Sequence, residues 1–127
     1  LNAYEYTLEH GVHCFRFVPY GTTGFIDFME HVAQITEQTP DKLCMLIDLQ
    51  HNEEEVNIFE ALSAVRMVER RAPHRPPVRV AVIECDSLVL KSIRVVHALI
   101  GRRQDRFRVF LPHEVEAAMA WLCEECG

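Results

Sequence analysis

The side chains able to do chemistry gather just after two apolar runs. In a parallel α/β sheet, ligands bind beyond the C-terminal strand ends. The run 43–49 leads to Asp48, His51 and Asn57, and the run 78–83 leads to Glu84, Asp86 and Ser87. His51, beside Glu53, Glu54 and Glu55, could act as a base or hold a metal. Adjacent residues in one loop do not fix a ligand geometry, and a solvated acidic loop with an exposed histidine accounts for the same residues. Asp86 and Ser87 could bind a substrate, yet either is also an ordinary helix cap. No catalytic residue, metal site or cofactor is therefore expected, and a site around Asp48, His51 and Asp86 stays open as the enzymatic alternative.

Other motifs are short. Five cysteines are present, an odd number, and Cys14, Cys44 and Cys85 lie in apolar strand-like runs. That is the usage of reduced, buried thiols and not of a secreted disulfide framework. Cys123 and Cys126 form a C-x-x-C that closes a helix between Glu124 and Glu125. A redox pair usually opens a helix, where the dipole lowers a thiol pKa, and one C-x-x-C alone is a weak zinc signal. His10-x-x-His13 flanks a hairpin turn and reads as structural. No G-x-S-x-G elbow, Walker loop or G-x-G-x-x-G is present. The paired acidic residues and late lysine of a bacterial receiver domain are missing as well.

Composition narrows the class. The 127 residues fit one domain, 1–127, with 49% apolar and 25% charged residues. No apolar run reaches the roughly 18 residues of a membrane span. The beginning of the chain lacks the basic and apolar segments of a signal peptide, so a cytoplasmic location without stable membrane insertion is expected. Leu1 is not an initiator Met, which leaves room for native residues ahead of it. The net charge of −6 argues against nucleic acid as partner. The charge is uneven: residues 66–108 carry 11 Lys/Arg against 4 Asp/Glu, a local +7, while the rest of the chain is at −13. Such asymmetry can mark a binding face or merely solvate element ends.

These residues must be positioned by elements that hydropathy predicts. Residues 4–18 alternate as a hairpin around His10-Gly11. Thr22 or Thr23 can cap a helix whose stripe is Phe25, Phe28, Met29, Val32 and Ile35, stopped by Thr39-Pro40-Asp41. Leu43–Leu49 reads as a strand buried on both faces. A second helix runs from about Asn57 to Arg71, and Pro73, Pro76 and Pro77 end it. Val78–Ile83 is another buried strand. Helix 88–100, strand 106–110 and helix 112–125 complete the order β-β-α-β-α-β-α-β-α, an α/β class with a mixed five-stranded sheet. Helix 88–100 is apolar on most of its circumference, with Lys91, Arg94 and His97 on one narrow strip. That surface, Val95 included, could meet a neighbouring helix, a second subunit or a lipid chain.

This order, with Leu46-Ile47-Asp48-Leu49, Arg108-Val109-Phe110, Glu116-Ala117 and Trp121-Leu122, resembles the STAS/SpoIIAA-like family. That family includes anti-sigma-factor antagonists and small bacterial proteins related in fold to Sec14-type lipid carriers. The resemblance implies a SpoIIAA-like fold and a regulatory role through protein contacts. The antagonists carry a phosphorylated Ser or Thr at the start of the helix after the central strand. Here the equivalent stretch is Val56-Asn57-Ile58-Phe59, without a hydroxyl, and the nearest serine is Ser63, two turns into the helix. No phosphorylation is expected.

The expected function is a non-catalytic regulatory or protein-interaction module, acting on a protein partner or as a homo-dimer. Its candidate binding residues are Asp48, His51, Asn57, Asp86, Ser87, Lys91, Arg94 and Val95. The alternative is a small-molecule or lipid-binding protein that uses the apolar surface of helix 88–100.

Overall fold

A hairpin opens the chain because two neighbouring residues accept left-handed backbone. The computed structural model describes residues 4–18, 24–50, 58–84, 94, 102 and 104–126. Strands β1 (Tyr4–Glu9) and β2 (Val12–Phe17) pair antiparallel. His10 at φ 53° and Gly11 at φ 80° form the two-residue turn between them. Positive φ at both central positions matches the twist of the flanking strands.

Three more strands add in parallel. These are β3 (Leu43–Asp48), β4 (Val78–Ile83) and β5 (Arg106–Phe110), and the sheet order is β1-β2-β3-β4-β5. Both apolar runs are interior strands, as their composition demands: Leu43 to Ile47 are all buried. Helix α1 (Phe25–Gln38) connects β2 to β3, and α2 (Ile58–Arg71) connects β3 to β4. Both pack on one face, where Val32 and Val68 join Phe15, Met45, Ile47 and Val82 in a core. Same-handed crossovers in a sheet of sequential order require this shared face. Helix α3 (Val115–Cys126) packs on the other face, burying Ala118 and Leu122 against Val12, Cys44, Leu46, Ala81 and Ile83.

The first face is rich in aromatic rings. Phe15 and Phe28 meet edge to face with centroids 5.0 Å apart, and Tyr4, Tyr6 and His31 complete the cluster. The Tyr6 hydroxyl lies 2.6 Å from His13 Nδ1, and the Tyr4 hydroxyl 2.9 Å from His31 Nδ1. Burial lowers the pKa of both histidines, and each lowers the cost of burying a tyrosine tip by pairing with it. His13 is thus structural, as its place beside the turn suggested.

Several expectations need correction. Three α-helices stand complete among the described residues. The segment 88–100 lies outside them except for Arg94, which is helical and exposed. Gly24 stands at the N-cap of helix α1, and Thr22 and Thr23, the expected caps, lie outside the described residues. The last helix opens as a 3-10 turn, Pro112–Glu114, where the Glu114 carboxylate accepts the Leu111 amide at 2.7 Å. Cys44 is disulfide-bonded, against the expectation of reduced thiols. The free cysteines among the described residues are Cys14 and Cys123, and burial pushes the Cys14 thiol up to about 12. Among the described residues, no helix is long and apolar enough to cross a membrane.

Candidate functional site

Four parallel strands give the sheet two distinct ends. At the C-terminal rim stands Asp48, the last residue of β3. Its carboxylate accepts the Gln50 amide at 3.0 Å and the Gln50 side chain at 3.1 Å. Aspartate commonly ties down a turn in this way, so both oxygens already have a local use. Glu84 is buried beyond β4, and its amide donates to the Phe110 carbonyl at 3.1 Å. The other residues expected at this rim, His51, Asn57, Asp86 and Ser87, lie outside the described residues, as do Lys91 and Val95 on the following segment. Among the described residues no three His, Cys, Asp or Glu side chains come together as a metal site.

The rim carries a feature that periodicity did not single out. Ile26 and Phe59 are 77% and 79% exposed. Each is in the first turn of its helix, one residue off the buried stripe. The two helix starts are neighbours, because Phe25 of α1 packs against Ala61 of α2. Two large apolar side chains therefore face solvent at the end of the sheet where the predicted site lies. A helical wheel of 58–71 or 25–38 could have flagged both, since they fall outside the stripe facing the core.

The opposite end is built from charge. Arg75 and Asp105 are buried, at 7% and 6% side-chain exposure, and pair through two bonds of 2.9 and 2.7 Å. Asp105 also accepts the amides of Val78 at 3.1 Å and Arg102 at 2.7 Å. Burial alone would raise this carboxyl, but the Arg75 guanidinium and the two amides outweigh it and hold it below its ordinary value. Glu69 bridges Arg75 and Arg102. Nothing in this network is left for a ligand: it ties the loop before β5 to the end of α2.

Beside the network lies a cleft of about 280 Å³ at the N-terminal ends of β3, β4 and β5. Lys42, Arg79, Gln104 and Arg106 supply its polar lining. Arg79 lies over the Trp121 ring, 4.2 Å from its centroid, with Glu124 at 3.9 Å. This is where part of the basic segment 66–108 collects.

No protein-family model matches the chain, and neither any curated protein nor any solved structure does.

Proposed function

We propose that the protein is a non-catalytic regulatory or protein-interaction module of STAS/SpoIIAA-like type that docks a protein partner through the C-terminal rim of its sheet. One observation carries this reading: Ile26 and Phe59 stand exposed on adjoining helix starts. Burying such side chains stabilises a complex by roughly 1.5–3 kcal/mol each, and aromatic anchors dominate many interfaces. The resemblance adds a second support. Phe59 falls in the stretch where the antagonists carry their phosphorylated residue, so an apolar anchor occupies the family's regulatory position. Asp48, held in its turn by Gln50, serves the shape of that rim and not proton transfer.

The test compares the native chain with the double variant Ile26→Ser, Phe59→Ser. Both positions are solvent-facing, so the variant folds. Sedimentation equilibrium and affinity capture are run on both. The reading expects one complex, with a second copy or with another protein, that the native chain forms and the variant loses. Equal complexes from both proteins would reject it.

A further inference from the structure

The sheet ends on two strands of opposite charge. β1 and β5 are its edges, and among the described residues no strand pairs with the outer side of either. On β1, Glu5, Thr7 and Glu9 are exposed. They point to the face that α3 packs on, because Thr7 and Glu9 stand opposite Cys14 and Val12 of that core. On β5, Arg106 and Arg108 are exposed and point to the same face, Arg108 being opposite Ala81. The residues between them belong to the aromatic face: Tyr4 and Tyr6 on β1, Phe107 and Val109 on β5. β1 is antiparallel to β2, and β2 to β5 are parallel. A β1 added beyond β5 to continue the sheet therefore runs antiparallel to it.

The backbone groups match as well. Glu9 and Val12 close the two-residue turn. Glu9, Thr7 and Glu5 therefore bond to β2, and the peptide groups of Tyr4 and Tyr6 point outward. The Phe110 carbonyl accepts the Glu84 amide at 3.1 Å. Phe110 and Arg108 thus turn their peptide groups to β4, and Val109 turns its own outward.

We propose that copies of this chain join head to tail, β1 of one copy adding to β5 of the next in the register that sets Glu5 opposite Arg108. Arg108 rests over the Phe110 ring, 4.9 Å from its centroid, at the edge where that carboxylate arrives. The same register joins the outward peptide groups of Tyr4 and Val109 and sets Tyr6 opposite Phe107. Aromatic and β-branched pairs of this kind stabilise a sheet. Two-fold pairing of β1 with β1 gathers the Glu5 and Glu9 carboxylates of both copies on one face. Two-fold pairing of β5 with β5 does the same with arginines, and like charges facing each other are destabilising. Charge on an edge is a common protection against pairing, but charge of one sign protects only against a like edge. Because the two patches differ, the contact is heterologous and the assembly open-ended. It uses the sheet edges and does not depend on the rim that carries Ile26 and Phe59.

The test is sedimentation velocity of the full chain over a wide range of concentration. The native chain should give a concentration-dependent series of oligomers that salt weakens. Glu5→Arg or Arg108→Glu should each weaken association at least tenfold, because each sets like charges opposite one another at every contact. Both positions are exposed, and circular dichroism verifies the fold. An equimolar mixture of the two variants should recover the association, since each offers the charge that the other lacks. The Ile26→Ser, Phe59→Ser variant should keep the series. A native chain that stays monomeric, single variants that associate as the native chain does, or a mixture that stays dissociated overturns the proposal. Loss of the series in the Ile26→Ser, Phe59→Ser variant overturns it too, because the contact would then be the rim.

Discussion

At the C-terminal rim Ile26 and Phe59 stand in solvent, whereas at the N-terminal end Arg75 and Asp105 are buried against each other. The placement inverts the ordinary rule that apolar groups go inside and charges outside. Each inversion has its own cause. Arg75 and Asp105 pair with each other, and the aspartate also accepts two backbone amides that would otherwise lose water. The apolar side chains at the rim have no such internal compensation. Under the proposed function, association with a partner would remove the cost of their exposure. One end therefore holds the fold together, and the other is the end proposed to dock a partner.

The largest expected effect comes from breaking the paired end. Asp105→Ala leaves the Arg75 guanidinium buried without its bidentate partner, and such a loss costs about 3–5 kcal/mol. Chemical denaturation should show it as a lower midpoint with an unchanged slope. Replacing Arg75 and Asp105 together by Met and Leu should cost clearly less than Asp105→Ala alone, because no orphan charge remains. If the double variant is as unstable as the single one, the pair matters for packing and not for charge.

Acid should act on the protein in two stages. His13 and His31 have pKa values below the ordinary 6.5 because burial disfavours their charged forms. The unfolded chain therefore takes up protons first. The stability they contribute is complete above pH 6.5 and drains as pH falls from there through their lowered values. Asp105 acts further down. Its contribution is present above the ordinary aspartate pKa and is lost as pH falls through its depressed value. Denaturation midpoints measured against pH should show the first stage diminished in His31→Gln and the second diminished in Asp105→Ala.

Smaller effects sharpen the contrast. Trp121→Leu removes the ring beneath Arg79 and should cost about 0.5–1 kcal/mol beyond its lost packing. The smallest effect on stability belongs to the rim: Phe59→Ser should stay within about 0.5 kcal/mol of the native chain, as surface changes do. A drop of several kcal/mol there would mean that Phe59 is already covered.

Local pattern made most of the fold legible. Strand 43–48 was readable because five apolar residues in a row suit burial on both faces of a sheet, and strand 78–83 because four apolar residues, Val80–Ile83, follow one another. The α2 and α3 stripes were readable from helical spacing. What was not legible depends on distance along the chain. Arg75 and Asp105 are 30 residues apart, and no local pattern couples them. The facing of Arg79 and Arg106 follows from the strand register, which composition does not specify. The disulfide at Cys44 escaped for a similar reason, since spacing along the chain does not say which sulfurs meet. The rim was half legible. Asp48 follows from the strand boundary, but its oxygens turn back to Gln50, and Ile26 and Phe59 adjoin apolar stripes from which linear spacing does not separate them.

The most direct test of the account places a photo-crosslinking phenylalanine at position 59 in one sample and at position 104 in another, each expressed in the protein's native cells. Both positions are exposed, one at each end of the sheet. The account predicts a discrete adduct of defined mass from position 59 that is missing from position 104. No adduct from position 59, or the same adducts from both positions, would contradict it.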